Sequence, residues 1–180
     1  MNRKQHAEWL RWTRKVHRLM GIFLFVIFLA ISITGLLLGW KKNSGDWLMP
    51  PTQTGTAESL ADWLPLDSLE AIAMRYYYVQ DETLTIDRMD IRPDKGIVKV
   101  LFTQYNLELQ LDGASGKILS VGKRRSDWIE HLHDGSLFDD LLGVNFVKLI
   151  FTSIAGISLF LFSVTGFWLW YGPKVMRKAH

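Results

Sequence analysis

The sequence predicts an α+β membrane protein in which two transmembrane helices flank an exported domain, a helix packed on a four-strand antiparallel sheet. Three observations carry this. Residues 19–40 and 149–172 contain no charged side chain, and at about 1.5 Å per residue each run is long enough to cross a bilayer as a helix. Between them, residues 66–122 read as one amphipathic helix and four short strands divided by turn residues. The charge is partitioned in the same way: residues 1–18 hold six Lys/Arg against Glu8, the tail after Pro173 adds Lys174, Arg177 and Lys178, and residues 41–148 hold 12 Lys/Arg against 17 Asp/Glu.

Basic ends and an acidic middle place both termini in the cytoplasm and the middle outside, although Lys41 and Lys42 run against the rule. Trp40, Trp168, Trp170 and Tyr171 stand where the span ends would meet headgroups, as an aromatic belt. The first apolar run is 22 residues long, beyond a signal-peptide core, and Gly39-Trp40-Lys41-Lys42 offers no small-residue cleavage site, so it reads as an anchor. The cations sit beside the spans, where the lipid bilayer is the sufficient partner, and nucleic-acid binding is not expected. With no cysteine in the chain, any metal or cofactor must be held by His, Met, Tyr or carboxylates.

Taken in order, the expected segments are a cytoplasmic basic amphipathic stretch (1–18), the first transmembrane helix (19–40), a linker (41–65), the helix-and-sheet domain (66–122), an interfacial segment (123–148), the second transmembrane helix (149–172) and a basic cytoplasmic tail (173–180). The linker is read from Pro50-Pro51 and a Thr/Gly-rich run, with Trp47 and Trp63 free to touch headgroups or the domain. A helix over 67–78 follows from the apolar stripe Leu69, Ile72, Ala73 and Tyr76, and Asp67 with Glu70 resembles a capping box. Strands are expected at 84–91, 97–103, 107–111 and 117–121. Pro93-Asp94-Lys95-Gly96, Gln104-Tyr105-Asn106 and Asp112-Gly113-Ala114-Ser115-Gly116 separate them. Leu107, Leu109 and Leu111 share one face, and the first strand loses its alternation around Arg88 and Met89, which marks a bulge or an edge. Residues 127–134 read as a short helix with Trp128, Ile129 and Leu132 apolar, ended by Gly135.

The two spans share a pattern. Ser32-Ile33-Thr34-Gly35 with Leu38 recurs as Ser163-Val164-Thr165-Gly166 with Leu169, and because the helices run in opposite directions this resembles an inverted repeat with a Thr-Gly pair near each face. Helix packing alone would explain it, since Gly35 and Gly39 form a small-residue dimerisation pattern; the other use is a gap for a flat cofactor. Three histidines lie beside or between the spans. His17 precedes the first apolar run on a helix face with Trp9, Trp12, Thr13 and Val16, and a headgroup-facing role would also account for it. His131 and His133 are two apart, so on a helix they point about 200° from each other and only one faces inward. Glu130, Asp134, Asp139 and Asp140 could attract a cation, a solvated acidic face being the simpler use. Met20 and Met49 are lone thioethers for which packing suffices, His6 and His180 lie in basic tails, and no protease spacing is present.

Ser68-Leu69-Glu70-Ala71-Ile72, then strands, then Leu109-Gln110-Leu111-Asp112 leading to Ser115-Gly116-Lys117-Ile118-Leu119, resembles a PepSY domain. With His17-Arg18 before the first span, Thr34-Gly35 within it and His131-Leu132-His133-Asp134-Gly135 ahead of the second, nearly the whole chain resembles the PepSY-associated transmembrane family in a short, two-span form. The resemblance implies a bacterial inner-membrane protein with its PepSY-like domain in the periplasm. Larger relatives of that family include ferrisiderophore reductases with four or more spans and b-type haems held by histidines. Carried to this chain, His17 and His133 are the expected haem-iron axial ligands, His131 the alternate, and Thr34, Gly35, Thr165 and Gly166 the residues that make room for a porphyrin. The PepSY-like domain would cover the outer site or dock a ferric siderophore. About 35 Å of helix separates His17 from the far end of the first span, so one haem cannot bridge both faces. Two haem-sized sites each need a second imidazole, which a homodimer forming a four-helix bundle, or a larger membrane complex, would supply. No nucleotide or flavin motif is present, so the electron donor is separate. The competing reading is non-enzymatic: a membrane-tethered PepSY binding or regulatory module, or an accessory subunit of an iron-uptake system or transporter.

Overall fold

A computed structural model of the chain describes residues 3–78 and 84–178; His180, in the basic tail, lies outside them. The elements in chain order are α1 (Arg3–Trp40), α2 (Leu66–Tyr78), β1 (Ile86–Arg92), β2 (Ile97–Phe102), β3 (Leu107–Asp112), β4 (Ile118–Lys123), α3 (Arg125–Asp134), α4 (Ser136–Leu142) and α5 (Val147–Lys178). Contacts divide the chain into two compact units, residues 36–130 and residues 1–35 with 131–180.

The unit formed by residues 36–130 is built on an antiparallel meander with strand order β1-β2-β3-β4. Alternation sends Val98, Val100 and Phe102 of β2 and Leu109 and Leu111 of β3 to one face, where Leu69 and Ala73 of α2 close the core. The irregularity expected in the first strand is a register shift between Ile86 and Arg88, and β1 is also an edge strand. The expected capping box does not form. Helix α2 starts at Leu66, one residue early, with Pro65 O accepting from the Ser68 and Leu69 amides, and the Asp67 carboxylate accepts instead from Ser68 N at 2.7 Å.

On β2 and β3 the second face is equally buried and carries polar side chains beside Ile97 and Leu101, which alternation alone does not reveal. Lys99, Glu108, Gln110 and Asp112 are all at most 3% exposed. Glu108 accepts from Lys99 Nζ (3.1 Å), Gln110 Nε2 (2.7 Å) and Arg124 Nη1 (2.9 Å), and Arg124 also donates to Asp127. Burial works against the guanidinium charge of Arg124, but Asp127 and Glu108 outweigh it and push its pKa up. Residues 51–56, within the segment expected as a linker, lie across this face as a strap. Gln53 N donates to Gln110 Oε1, Gln110 Nε2 to Pro51 O, Gly55 N to Lys95 O, and Thr56 N and Oγ1 to Asp112. Trp63 donates to Ala57 O at 2.8 Å and packs on the core, so it belongs to the domain.

In the other unit, α1 is one continuous helix through both its basic amphipathic start and its apolar run. Its apolar side chains Ile22, Phe23, Phe25 and Val26 are exposed, as are Leu149, Phe160 and Phe167 of α5, which is the surface a helix presents to lipid. Helix α5 continues through Pro173, past the expected end at residue 172. A proline removes one backbone bond near a helix end, and beside it Lys174 Nζ lies 3.5 Å from the Trp170 ring centre. Trp40, Trp170 and Tyr171 are exposed in the manner of a belt, whereas Trp168 is half-buried.

Burial raises the Asp112 carboxyl, but hydrogen bonds from Ser115 N, Thr56 and Ala114 N outweigh it and hold the pKa below its ordinary 3.8. A carboxyl lowered on folding contributes stability that is fully present above its unfolded value and is lost as pH falls through the folded one. Denaturation of the full chain, followed by tryptophan fluorescence, should therefore show stability dropping as pH falls below about 4. Asp112→Asn should flatten that part of the profile and cost about 1–3 kcal/mol at neutral pH.

Candidate functional site

Two histidines from outside the apolar runs each dock on the Thr-Gly step of a span. His133, in the last turn of α3, places Nδ1 2.9 Å from Thr34 Oγ1, and its Cε1 is 3.2 Å from where a Cβ on Gly35 would stand. His17, on α1, places Nδ1 2.8 Å from Thr165 Oγ1, with Cε1 3.6 Å from the corresponding point on Gly166. The two sites are separated by the length of α1 between His17 and Thr34, about 26 Å. The space above each glycine is thus taken by an imidazole edge of the same chain, not left as an open porphyrin slot. A Cβ at Gly35 would press on the His133 ring, whereas one at Gly166 would meet His17 at ordinary contact distance.

The threonines fix the tautomer of these rings. Thr34 Oγ1 lies 2.7 Å from Ala30 O, and Thr165 Oγ1 lies 2.6 Å from Leu161 O. A hydroxyl has one proton, and in a helix it goes to the carbonyl one turn back. The oxygen can then only accept from the imidazole, so Nδ1 of each neutral ring carries the proton and Nε2 carries the lone pair. Neither Nε2 has a hydrogen-bond partner among the described residues. Phe162 further holds His17, the ring centres 4.4 Å apart, and Phe28 packs edge-on against Phe162.

The remaining residues that the sequence singled out are placed differently. His131 points away from the Thr-Gly steps and pairs with Asp140 at 3.0 Å on an exposed surface, as expected of two histidines two positions apart on one helix. The acidic residues are dispersed over separate structural tasks. Asp134 binds Lys148 (2.5 Å) and both the amide and hydroxyl of Ser136. Burial raises its carboxyl, but these bonds hold it below the ordinary range. Asp139 accepts from Val147 N and Lys148 N and so caps α5, and Glu130 faces Lys41. Among the described residues, no three His, Asp or Glu are grouped to hold a bare metal ion. Gly135, with φ +81°, breaks the chain between α3 and α4 against the Phe151 ring.

A haem needs an imidazole that presents a free, oriented nitrogen, and the donor sets of His17 and His133 fit that need. A second feature went unnoticed in the sequence: Trp168, one turn beyond Thr165 on α5, has a buried indole N–H with no partner among the described residues. Phe162 was likewise not legible, because an aromatic ring in an apolar run does not stand out from its background, and Asp139, expected on a solvated acidic face, instead caps α5.

Fold and site together define a membrane protein with two spans and an intervening α+β domain. The family model described as the PepSY-associated TM region matches residues 14–179, and the chain belongs to that family. No curated protein matches it.

The tautomer assignment is open to direct measurement. In the haem-free protein, nitrogen-15 spectra of ring-labelled histidine should show His17 and His133 as Nδ1–H tautomers at high pH. Thr165→Val and Thr34→Val should each return only the facing histidine to the Nε2–H form that free imidazole side chains prefer.

Proposed function

We propose that the chain is a b-haem-binding carrier of electrons across the bacterial inner membrane, acting as a homodimer or within a larger membrane complex, in the reduction of ferric iron or ferric siderophores on the periplasmic side. The observation that supports this most is the repeated His-Thr-Gly arrangement, one near each end of the spans, with Nε2 of His17 and His133 unpartnered. Bound haem supplies a one-electron Fe(III)/Fe(II) couple.

In this reading His17 and His133 are the axial ligands, and Thr165 and Thr34 are positioning residues that hold each ring and its proton. Gly166 and Gly35 let the ring edge approach the helix. Each chain offers one imidazole per site, so a second copy completes both pairs of axial ligands. The charge pattern supports cytoplasmic termini and a periplasmic domain. A separate donor delivers electrons at the cytoplasmic face, and each electron passed outward reduces one ferric ion.

Reduced-minus-oxidised visible spectra of variants test the reading. His17→Ala and His133→Ala should each remove a distinct part of the haem signal, while His6→Ala leaves it intact. Thr34→Val and Thr165→Val should keep the signal but weaken haem retention at the facing site by about 10–100-fold. Full spectra in both histidine variants would refute the ligand assignment.

A further inference from the structure

The strap side of the sheet carries a second candidate site, unrelated to the histidines. Between the strap and the β1 edge lies a cleft of about 550 Å³, lined on one side by Met49, Pro50, Pro51 and Thr52. Six cationic and two acidic side chains line it: Lys41, Lys42, Arg92, Lys95, Lys99 and Arg124 against Asp90 and Asp94. This inverts the acidic balance of residues 41–148.

Three of the cations are already neutralised. Lys99 and Arg124 pair with the buried Glu108, and Lys41 faces Glu130 at 3.8 Å. Lys42, Arg92 and Lys95 have no ionic partner among the described residues. Of the acids, Asp90 is engaged by Arg88, 3.6 Å away. Three unpaired cations against Asp94 therefore surround a cavity whose inner wall holds the rigid, hydrogen-bonded Lys99 and Arg124. A concave site lined by unpaired cations concentrates their field and favours an anion.

We propose that this cleft binds a soluble small molecule bearing two or more negatively charged oxygen groups, such as carboxylates or phosphates. An anionic lipid headgroup shares that chemistry, and Lys41 and Lys42 follow directly on the end of α1. Arg92 and Lys95, however, come from the end of β1 and the turn after it, and the volume accommodates a whole molecule of metabolite size, not a single phosphate. The inference goes beyond the haem reading and stands independently of it.

The test is calorimetric titration of citrate and of inorganic pyrophosphate into the full-length protein in phosphatidylcholine nanodiscs. Wild type should bind at least one of the two saturably, at one site per chain, with affinity falling as salt rises. The triple variant Lys42→Gln/Arg92→Gln/Lys95→Gln removes only unpaired side chains, and it should bind at least about tenfold more weakly with an unchanged denaturation profile. Absence of saturable binding of both anions, or equal binding by the triple variant, overturns the site. Binding that survives in nanodiscs containing phosphatidylglycerol supports a soluble ligand. Competitive loss of binding there assigns the cleft to the lipid headgroup and overturns the soluble source.

Discussion

A threonine hydroxyl inside a helix has a single proton, and donating it to the carbonyl one turn back decides what a neighbouring histidine can do. At Thr34 and Thr165 that donation leaves an oxygen that only accepts, which draws the proton of the facing imidazole to Nδ1. The proposed haem function follows from the consequence, a ring held at one nitrogen and open at the other. At the Thr34 site the neighbouring glycine is the second half of the device, because a Cβ on Gly35 would press on the His133 ring. Helix backbone, hydroxyl and imidazole form a short chain of fixed donors and acceptors, and neither ring can rotate without breaking it.

The two units solve their burial problems in different ways. The central strands β2 and β3 are buried on both faces, by α2 on one side and by the strap on the other, where Lys99, Glu108, Gln110 and Arg124 form a closed network. Such a network is stable only when every member is satisfied. Two cations share one carboxylate, with Asp127 as the second acid. Among the described residues the spans have no comparable internal network. Their outward side chains are apolar and exposed, and the polar contacts in that unit collect at His17, His133 and the caps of the second span.

Much of this was legible in the sequence for physical reasons. Charge-free runs of the right length, a period-two pattern in β3 and turn residues at fixed places define the spans and the meander, because each is a local signal. The strap was not legible. Pro50-Pro51 and a Thr/Gly run look like a linker until Gln110 and Asp112 are known to need partners, and those partners are 50 residues or more away in sequence. Asp67 was misread as a cap because Pro65, two residues earlier, starts the helix just as well. At the site, the histidines and the Thr-Gly pairs were each visible, but their pairing is tertiary: separations of 99 and 148 residues leave no local trace. The grouping of Lys42 with Arg92 and Lys95 is tertiary for the same reason, the three being scattered through a stretch that is acidic on average.

The central claim is that His17 and His133 hold haem for electron transfer across the membrane. Its most direct test is the dithionite-reduced minus oxidised spectrum of the purified full-length protein, expressed with ample haem, together with the haem content per chain. A b-type difference spectrum with close to one haem per chain is the result expected of a dimer with two shared sites. A folded, colourless protein would contradict the account and leave the tethered PepSY module as the reading to pursue.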